Sequence, residues 1–258
     1  MNRRRPYAAI ALVLAVFIPV PPGWSQEPAG AAVAPAADPV RDAILSNERV
    51  RVQRLGLEPG ASTALHTHAH DHIAAALGVG EIADVAPDGA ERRRTFSDGS
   101  LALVPAGVTH TLRNVGDAPF RAVTIDLLLP QAGARNRCGA LLAGRPLDCA
   151  GKAAAASSKK KGGALVPQME TDRTLVSLLT LDPGAEHLFK ASPTPPVVVA
   201  LEGTDAMAII EVKIPGAVGK GEKPLRGGDA ATTLPKSALT IRNVGAALAR
   251  FVVVEFED

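Results

Sequence analysis

The chain has 258 residues, of which 47 % are hydrophobic and only 3 % aromatic, so it can bury an aliphatic core but offers few rings on which nucleobases could stack. The net charge is +2, and without residues 1–25 it is −1, because 28 − 3 = 25 basic groups then stand against 26 acidic ones. This balance argues against nucleic acid or an anionic membrane as a partner.

Residues 1–25 have the three parts of a secretory signal. Arg3 to Arg5 form a positive region, Ala8 to Val20 form an apolar run, and small residues precede a predicted cleavage point after Ser25. The apolar run has thirteen residues, whereas a membrane-spanning helix needs about 20. We therefore expect a periplasmic or secreted protein that has no membrane association after cleavage. Residues 26–39, rich in Ala and Pro, are expected to form a flexible spacer.

From Arg49 onward, short apolar segments alternate with turn signals such as Leu57-Glu58-Pro59-Gly60, in which Pro presets φ and Gly supplies a positive φ. The strand-like segments are Val50–Leu55, Ile73–Leu77, Leu101–Val104, Thr111–Leu112 and Phe120–Leu129. Short strands at close spacing, with no amphipathic helical pattern between them, predict an all-β barrel or jelly roll.

A histidine cluster lies inside this series. His66, His68, His70 and His72 are four of the six histidines in the chain, and His110 follows later. Residues at i and i+2 share one face of a strand, so His66 and His68 can coordinate the same metal ion. The pattern predicts a site for a divalent transition metal, and the alternative is a solvated His-rich loop.

The spacing around these histidines resembles the two motifs of the cupin family. The first is Gly60, five residues, His66, one residue and His68, with His72 where that motif usually has glutamate. The second matches at five fixed positions, which are Gly99, Pro105, Gly107, His110 and Asn114.

The resemblance implies a double-stranded β-helix, or jelly-roll barrel, over residues 40–131, with His66, His68, His72 and His110 around one ion. Pro105 and Gly107 would be turn residues that aim His110 inward, and Asn114 a structural polar group. Four neutral imidazoles leave a divalent ion its full charge, which favours Mn, Fe, Ni, Cu or Zn over Ca and Mg.

The third ligand is either His72 or His70, because the glycine expected near the end of the first motif is displaced to Gly78 or Gly80. In the interpretation we prefer, His72 is the ligand and His70 lies at the rim or supports a ligand. Asp71 either orients an imidazole or is a solvated loop acid.

Residues 132–164 change character and form a predicted linker. They hold Lys159-Lys160-Lys161 and the two cysteines of the chain, Cys138 and Cys149, which are separated by ten residues. In an exported protein, such a pair predicts a disulfide.

Residues 165–258 repeat the first unit weakly, which predicts a second, tandem cupin barrel. Leu181-Asp182-Pro183-Gly184 echoes the first turn at an offset of 124, and Arg242-Asn243-Val244-Gly245 echoes Arg113-Asn114-Val115-Gly116 at an offset of 129. At these offsets the four clustered histidines and His110 become Lys190, Ser192, Thr194, Pro196 and Leu239. This barrel is therefore expected to lack metal ligands and to be structural.

The sequence thus predicts an exported bicupin, a monomer or a homodimer, that binds a small-molecule ligand at a metal ion. A non-haem oxidoreductase of the dioxygenase type, acting on a small chelating substrate, is our leading hypothesis. A metal-dependent isomerase or epimerase and a non-catalytic binding or sensing module stay open, because the fold hosts all of these and no general acid or base can be assigned.

Overall fold

The computed structural model describes residues 40–136, 140–142, 158–160, 162–214 and 217–257, together with Ala32, Ala34 and Asp38. These residues belong to one compact unit, Ala31–Asp258. The predicted signal and the predicted disulfide between Cys138 and Cys149 lie outside the described residues. Within the described part, none of the structure is a helix long and apolar enough to cross a membrane.

The described residues form 21 strands. The first group is β1 (Arg41–Ser46), β2 (Val50–Leu57), β3 (His66–Thr67), β4 (Asp71–Leu77), β5 (Gly80–Val85), β6 (Glu91–Phe96), β7 (Leu101–Val104), β8 (Thr109–Asn114), β9 (Phe120–Leu127), β10 (Arg135–Asn136) and β11 (Ala140–Leu142). The second group is β12 (Ser158–Lys160), β13 (Gly163–Glu170), β14 (Thr174–Leu181), β15 (Glu186–Phe189), β16 (Val197–Ala200), β17 (Asp205–Ile214), β18 (Ala217–Arg226), β19 (Ala230–Ala231), β20 (Ala238–Asn243) and β21 (Ala249–Phe256).

The first barrel consists of two sheets. A four-stranded sheet has the order β3-β8-β5-β6, and a six-stranded sheet has the order β1-β2-β9-β4-β7-β11. Side chains alternate across each strand, so one face of the larger sheet points into the barrel and the other points away from it. Ala74 and Thr124 are on the inward face and line a cavity together with Ile82 from the smaller sheet.

The second barrel repeats this plan with a four-stranded sheet, β15-β20-β17-β18, and a seven-stranded sheet, β10-β13-β14-β21-β16-β19, on which β12 also pairs with β13. Its interior is filled by an apolar cluster that includes Leu181, Phe189, Leu239 and Phe251. The prediction of an all-β chain with two tandem jelly-roll barrels is confirmed.

The two larger sheets pack against each other through their outward faces. Ile73 and Ile125 of the first barrel share one buried cluster with Val199 and Val252 of the second. These side chains are fully buried, and each such aliphatic group stabilises the folded state by about 1.5–3 kcal/mol relative to exposure. The packed faces therefore hold the two barrels in one body and leave each barrel interior on the far side of its own larger sheet.

The repeat is visible in the hydrogen bonds of two buried asparagines. The Asn114 side-chain amide donates to the carbonyls of Leu57 and Ala118, at 2.9 and 2.8 Å, and its Oδ1 accepts from the Gly116 amide at 3.0 Å. The Asn243 amide donates to Leu181 and Ala247 at 2.9 and 2.8 Å, and its Oδ1 accepts from Gly245 at 2.9 Å. Each asparagine locks the end of its strand to the next turn.

The strand register corrects one detail of the predicted repeat. His66 pairs with His110 in the first barrel, and in the second barrel Phe189 pairs with Leu239. The counterpart of His66 is therefore Phe189 rather than Lys190, because the second barrel has one residue fewer between its first turn and this strand.

Candidate metal centre in the first barrel

Three histidines converge at one end of the first barrel. His66 lies on β3, His68 is the first residue after the end of β3, and His110 lies on the neighbouring strand β8. All three are buried, with at most 4 % of each residue exposed. The Nε2 atom of His68 is 3.2 Å from that of His66 and 3.0 Å from that of His110. The structure thus brings together three of the residues that the sequence singled out.

The hydrogen bonds fix which ring nitrogen carries the proton. Nδ1 of His66 lies 2.8 Å from the Ala64 carbonyl, and Nδ1 of His110 lies 2.9 Å from Oδ1 of Asp84. A carbonyl and an ionised carboxylate only accept hydrogen bonds, so both Nδ1 atoms must donate. In the neutral rings, the Nε2 atoms of His66 and His110 therefore present lone pairs to His68.

This arrangement fits a bound cation. The single Nε2 proton of a neutral His68 can satisfy only one of its two neighbours, whereas a metal ion satisfies all three lone pairs. Nitrogens about 2.1 Å from a shared ion stand about 3.0–3.4 Å apart at angles of 90–109°, in agreement with the observed 3.0 and 3.2 Å. Donation of the other ring proton to a carbonyl or carboxylate is also the usual support of a metal-bound histidine.

Burial keeps His66, His68 and His72 neutral. Desolvation lowers the pKa of His66 to about 4 and that of His68 to about 2, and the charges of His110 and Arg41 act in the same direction. Desolvation also lowers the pKa of His72 well below its usual value. Burial opposes ionisation of Asp84, but the hydrogen bond and charge of His110, with Arg94 and Arg92, lower its pKa overall. At neutral pH the imidazoles are in the form that ligates metals.

His72 approaches the same centre from the opposite sheet. It lies on β4, 4 % exposed, and its ring stacks on that of His68 with 3.9 Å between centroids. Its Nδ1 is buried and has no hydrogen-bond partner in the part of the chain that the structure describes. The ligand atoms of His68, His72 and Asp126 lie within 4.8 Å of one another, as do those of His66, His68 and His110. His72 is therefore at the centre.

The other predicted site residues lie around it. His70 is half-buried and is in neither of the two metal-capable groups found among the described residues. Oδ1 of Asp71 accepts a hydrogen bond from the Ala106 amide at 2.7 Å, so Asp71 holds the turn before β8.

Gly107 of the second motif shapes the turn that presents His110, and Pro105 lies just before that turn. Gly107 has a φ of +82°, a conformation that favours glycine, and its amide donates to the His68 carbonyl at 2.7 Å. Gly99 and Gly60 have φ values of +77° and +76° in earlier turns.

A cavity of about 60 Å³ adjoins the histidines inside the barrel, which is space for a few water molecules or a small ligand. His72, His110 and Asp84 line it beside Arg41 and Arg94. Its remaining walls are mostly apolar and come from Leu55, Ala74, Ile82, Phe96, Ala102, Val104, Leu112, Phe120 and Ala122.

Arg41 places a positive charge between this cavity and the histidines. Its Nη1 donates to Oγ1 of Thr124 at 3.1 Å, its Nη2 lies 3.4 Å from Nε2 of His66, and its Nε is buried and unpartnered among the described residues. Burial lowers the pKa of Arg41, and the charges of Asp38 and Asp126 oppose that shift. The guanidinium therefore retains free donor capacity toward the cavity.

Sequence reasoning missed Arg41, Asp38, Asp84 and Asp126. Asp38, inside the range predicted as a spacer, is buried and accepts from the Ala64 amide at 2.9 Å, which ties the start of β1 to the loop before His66. Only Asp126 carried a usable signal, because it is the single charged residue between Ala122 and Leu129. For the other three, nothing local in the sequence indicates that they face the histidines.

Comparison with known proteins agrees with this fold. Residues 53–126, which span the histidines and both motifs, match the family model of the cupin domain. The match covers part of the chain and lies within the first barrel. No curated protein matches the sequence.

Solved structures share the two-barrel fold at low sequence identity. AerE from Microcystis aeruginosa is 14 % identical, with a TM-score of 0.56, and the alignment covers 86 % of this chain and 99 % of that one. Oxalate decarboxylase from Bacillus subtilis is 14 % identical with a TM-score of 0.54, covering 82 % and 70 %, and vicilin from Capsicum annuum is 14 % identical with 0.55, covering 81 % and 76 %. Identities this low establish the fold alone.

Proposed function

We propose that the first barrel holds one divalent transition-metal ion and that the protein is a metal-dependent enzyme of the non-haem dioxygenase type, acting on a small, chelating carboxylate. The single observation that carries the proposal is the convergence of three buried imidazoles, in which Nε2 of His68 lies 3.2 Å from that of His66 and 3.0 Å from that of His110. His66, His68, His110 and His72 would hold the ion. When bound, it supplies Lewis-acid polarisation of a substrate oxygen and, for Fe, Mn, Ni or Cu, one-electron chemistry.

The side chains of the cavity support an anionic substrate. Arg41 and Arg94 line it together with a single acid, Asp84, whose carboxylate is already engaged by His110. An arginine binds a carboxylate through paired N–H donors, and the unpartnered Nε of Arg41 is one such donor. The apolar wall, which includes Ile82 and Phe120, excludes water and strengthens these interactions.

A redox-neutral lyase acting on a small dicarboxylate is the second candidate. The two arginines and the small cavity favour it, and two-barrel neighbours of this fold include oxalate decarboxylase, for which Mn(II) centres are described. It differs from a dioxygenase in releasing carbon dioxide without consuming a stoichiometric amount of oxygen.

The test is to load metal-free protein with Mn(II) or Fe(II) and to supply small mono- and dicarboxylates, diketones, thiols and catechols, while oxygen uptake and carbon dioxide release are measured. A dioxygenase consumes about one oxygen molecule per substrate, and the His68→Ala variant should not. Carbon dioxide release without oxygen uptake identifies the lyase. A fully metallated protein that does neither with any of these substrates contradicts both the dioxygenase and the lyase, and leaves a metal-dependent isomerase or epimerase or a binding module.

Export belongs to the same proposal. It is supported by the signal pattern of residues 1–25 and by the cysteine pair, Cys138 and Cys149. Amino-terminal sequencing of the secreted or periplasmic form should begin at Gln26, and the intact mass should be two hydrogens below that of the reduced chain. A full-length protein that stays in the cytoplasmic fraction contradicts export. Outside the cytoplasm, metal binding follows the affinity order in which copper leads, so the metal found after purification need not be the working one.

A further inference from the structure

Asp126 lies beside the histidines, although the spacing of the cupin motifs gives it no role. It is the residue of β9 that pairs with His72 on β4 and with Arg51 on β2. Directly paired residues on adjacent strands point to the same face of the sheet. His72 is buried against His68 inside the barrel, so the Asp126 side chain also faces the barrel interior. Only 7 % of Asp126 is exposed.

The polar atoms around Asp126 are poorly matched without a cation. The Arg51 Nη1 lies 3.9 Å from its Oδ2, an ion-pair distance that is longer than a hydrogen bond. His72 Nδ1 is buried without a partner among the described residues, and burial raises the pKa of Asp126. A buried carboxylate and a buried ring nitrogen are each costly unless something pairs with them. One ion within reach of both satisfies the two groups together.

Asp126 also supplies what the first motif lacks. In this chain His72 stands at the position where the cupin motif usually has glutamate, so the motif residues alone bring no negative charge to the ion. The ligand atoms of Asp126, His72 and His68 lie within 4.8 Å of one another, and His68 is shared with the group of His66 and His110.

We propose that Asp126 is a direct ligand of the ion in the first barrel and supplies, from a different strand, the carboxylate that the first motif has lost. The inference rests on the metal site of the proposed function and extends it by one residue. Its chemical consequence is selectivity: an oxygen ligand of full negative charge favours Mn(II) and Fe(II) relative to an all-imidazole set, which suits Cu(II) and Zn(II).

A role of Asp126 as a positioning residue, rather than a ligand, predicts a different change in metal affinity. If Asp126 only orients His72 or offsets the charges of Arg41 and Arg51, its loss weakens the binding of every metal alike, since the ligands themselves are unchanged. If it is a ligand, its loss weakens Mn(II) binding far more than Zn(II) binding. The ratio of the two affinities therefore separates a ligand from a positioning residue.

The experiment compares Asp126→Asn with Glu255→Gln in metal-free protein. Glu255 is the counterpart of Asp126 in the second barrel. Asp126 pairs with Arg51, and Glu255 pairs with Leu175, which lies 124 residues after Arg51. Burial raises the pKa of Glu255, as it does that of Asp126. Dissociation constants for Mn(II) and Zn(II) are measured by titration against a competing chelator. We expect Asp126→Asn to lose about tenfold or more in Mn(II) affinity and less than about threefold in Zn(II) affinity, and Glu255→Gln to change neither.

Asp126→Glu keeps the carboxylate and should bind Mn(II) within about threefold of the wild-type affinity. If Asp126→Asn does not fold, Asp126→Ser replaces it as the variant without a carboxylate. An unchanged Mn(II) constant in Asp126→Asn, or equal losses for both metals, overturns the inference and leaves the histidine site intact. A folded wild-type protein that binds neither metal overturns the site itself, and the inference with it.

Discussion

The two barrels share a scaffold and differ in what faces their interiors. The strand registers show which positions of the two barrels are equivalent. His66 corresponds to Phe189, His110 to Leu239, Asp84 to Ala208, and Arg41 to Leu165. Val197 pairs with Val254 as Ile73 pairs with Ile125, so Pro196, the residue before Val197, corresponds to His72. Nearly every polar group of the first interior thus has an apolar counterpart in the second, while the asparagine networks that close the strands are the same in both.

The comparison teaches that the fold and the site depend on different residues. Asn114 and Asn243 make matching sets of hydrogen bonds to the backbone, so the scaffold is specified equally in both halves. The second interior is packed with Leu, Val, Ala and Phe side chains, whereas the first brings together buried imidazoles that are able to hold a cation.

His68→Ala should remove most of the metal affinity, because His68 belongs to both groups of candidate ligands. The loss should exceed the roughly 10- to 100-fold that orienting residues cost. Titration of metal-free protein measures it, and His187→Ala in the second barrel is the matched control, which should bind metal as the wild type does. Comparable affinities in His68→Ala and the wild type would place the metal somewhere else.

Asn114→Ala and Asn243→Ala should destabilise the protein by similar amounts. Each removes two hydrogen bonds to backbone carbonyls and one from a backbone amide, which costs about 2–4 kcal/mol in the free energy of unfolding. Urea titration of the metal-free variants measures this cost. A large loss for one and none for the other would show that the two scaffolds are not specified alike.

Asp84→Ala replaces Asp84 by alanine, the residue found at the equivalent position of the second barrel, Ala208. The imidazole of His110 then loses the acceptor of its Nδ1 proton, so we expect metal affinity to fall about 10- to 100-fold. Far-UV circular dichroism should stay unchanged. An unchanged affinity would mean that strand packing alone orients His110.

The metal-free protein should lose stability as the pH falls below 6.5. In the unfolded chain, histidine takes up a proton near that pH, whereas burial lowers the pKa of His66 to about 4 and that of His68 to about 2 in the folded state. The unfolded state therefore binds more protons in this window, and the free energy of unfolding falls by about 1.4 kcal/mol per pH unit for each histidine. Urea midpoints between pH 7 and pH 5 measure the slope, which a His66→Gln, His68→Gln variant should flatten. An equal slope in that variant would contradict the burial of neutral rings.

The sequence predicts the scaffold well because strands and turns leave local signals. Leu101–Val104 is predicted and observed with the same bounds, and Gly60, Gly99 and Gly107 have the positive φ values that turns require. The short β3, by contrast, contains His66 but not His68, so the two histidines do not share one strand as their spacing suggested.

Half of the site is assembled by tertiary pairing, which the spacing of residues along the sequence does not reveal. Asp126 reaches His72 only through the register of β9 with β4, and Asp84 reaches His110 through the pairing of β5 with β8. Arg41 comes from the first strand, 25 positions before His66. Motif spacing finds ligands that are close in sequence, and it cannot find groups that the barrel brings to them from other strands.

Anomalous diffraction from crystals grown with Mn(II) would locate the ion that we propose among the imidazoles of the first barrel. The account predicts a single strong peak within ligand distance of Nε2 of His66, His68 and His110. The absence of a peak there at saturating Mn(II), or a peak at His187 of the second barrel instead, would contradict it.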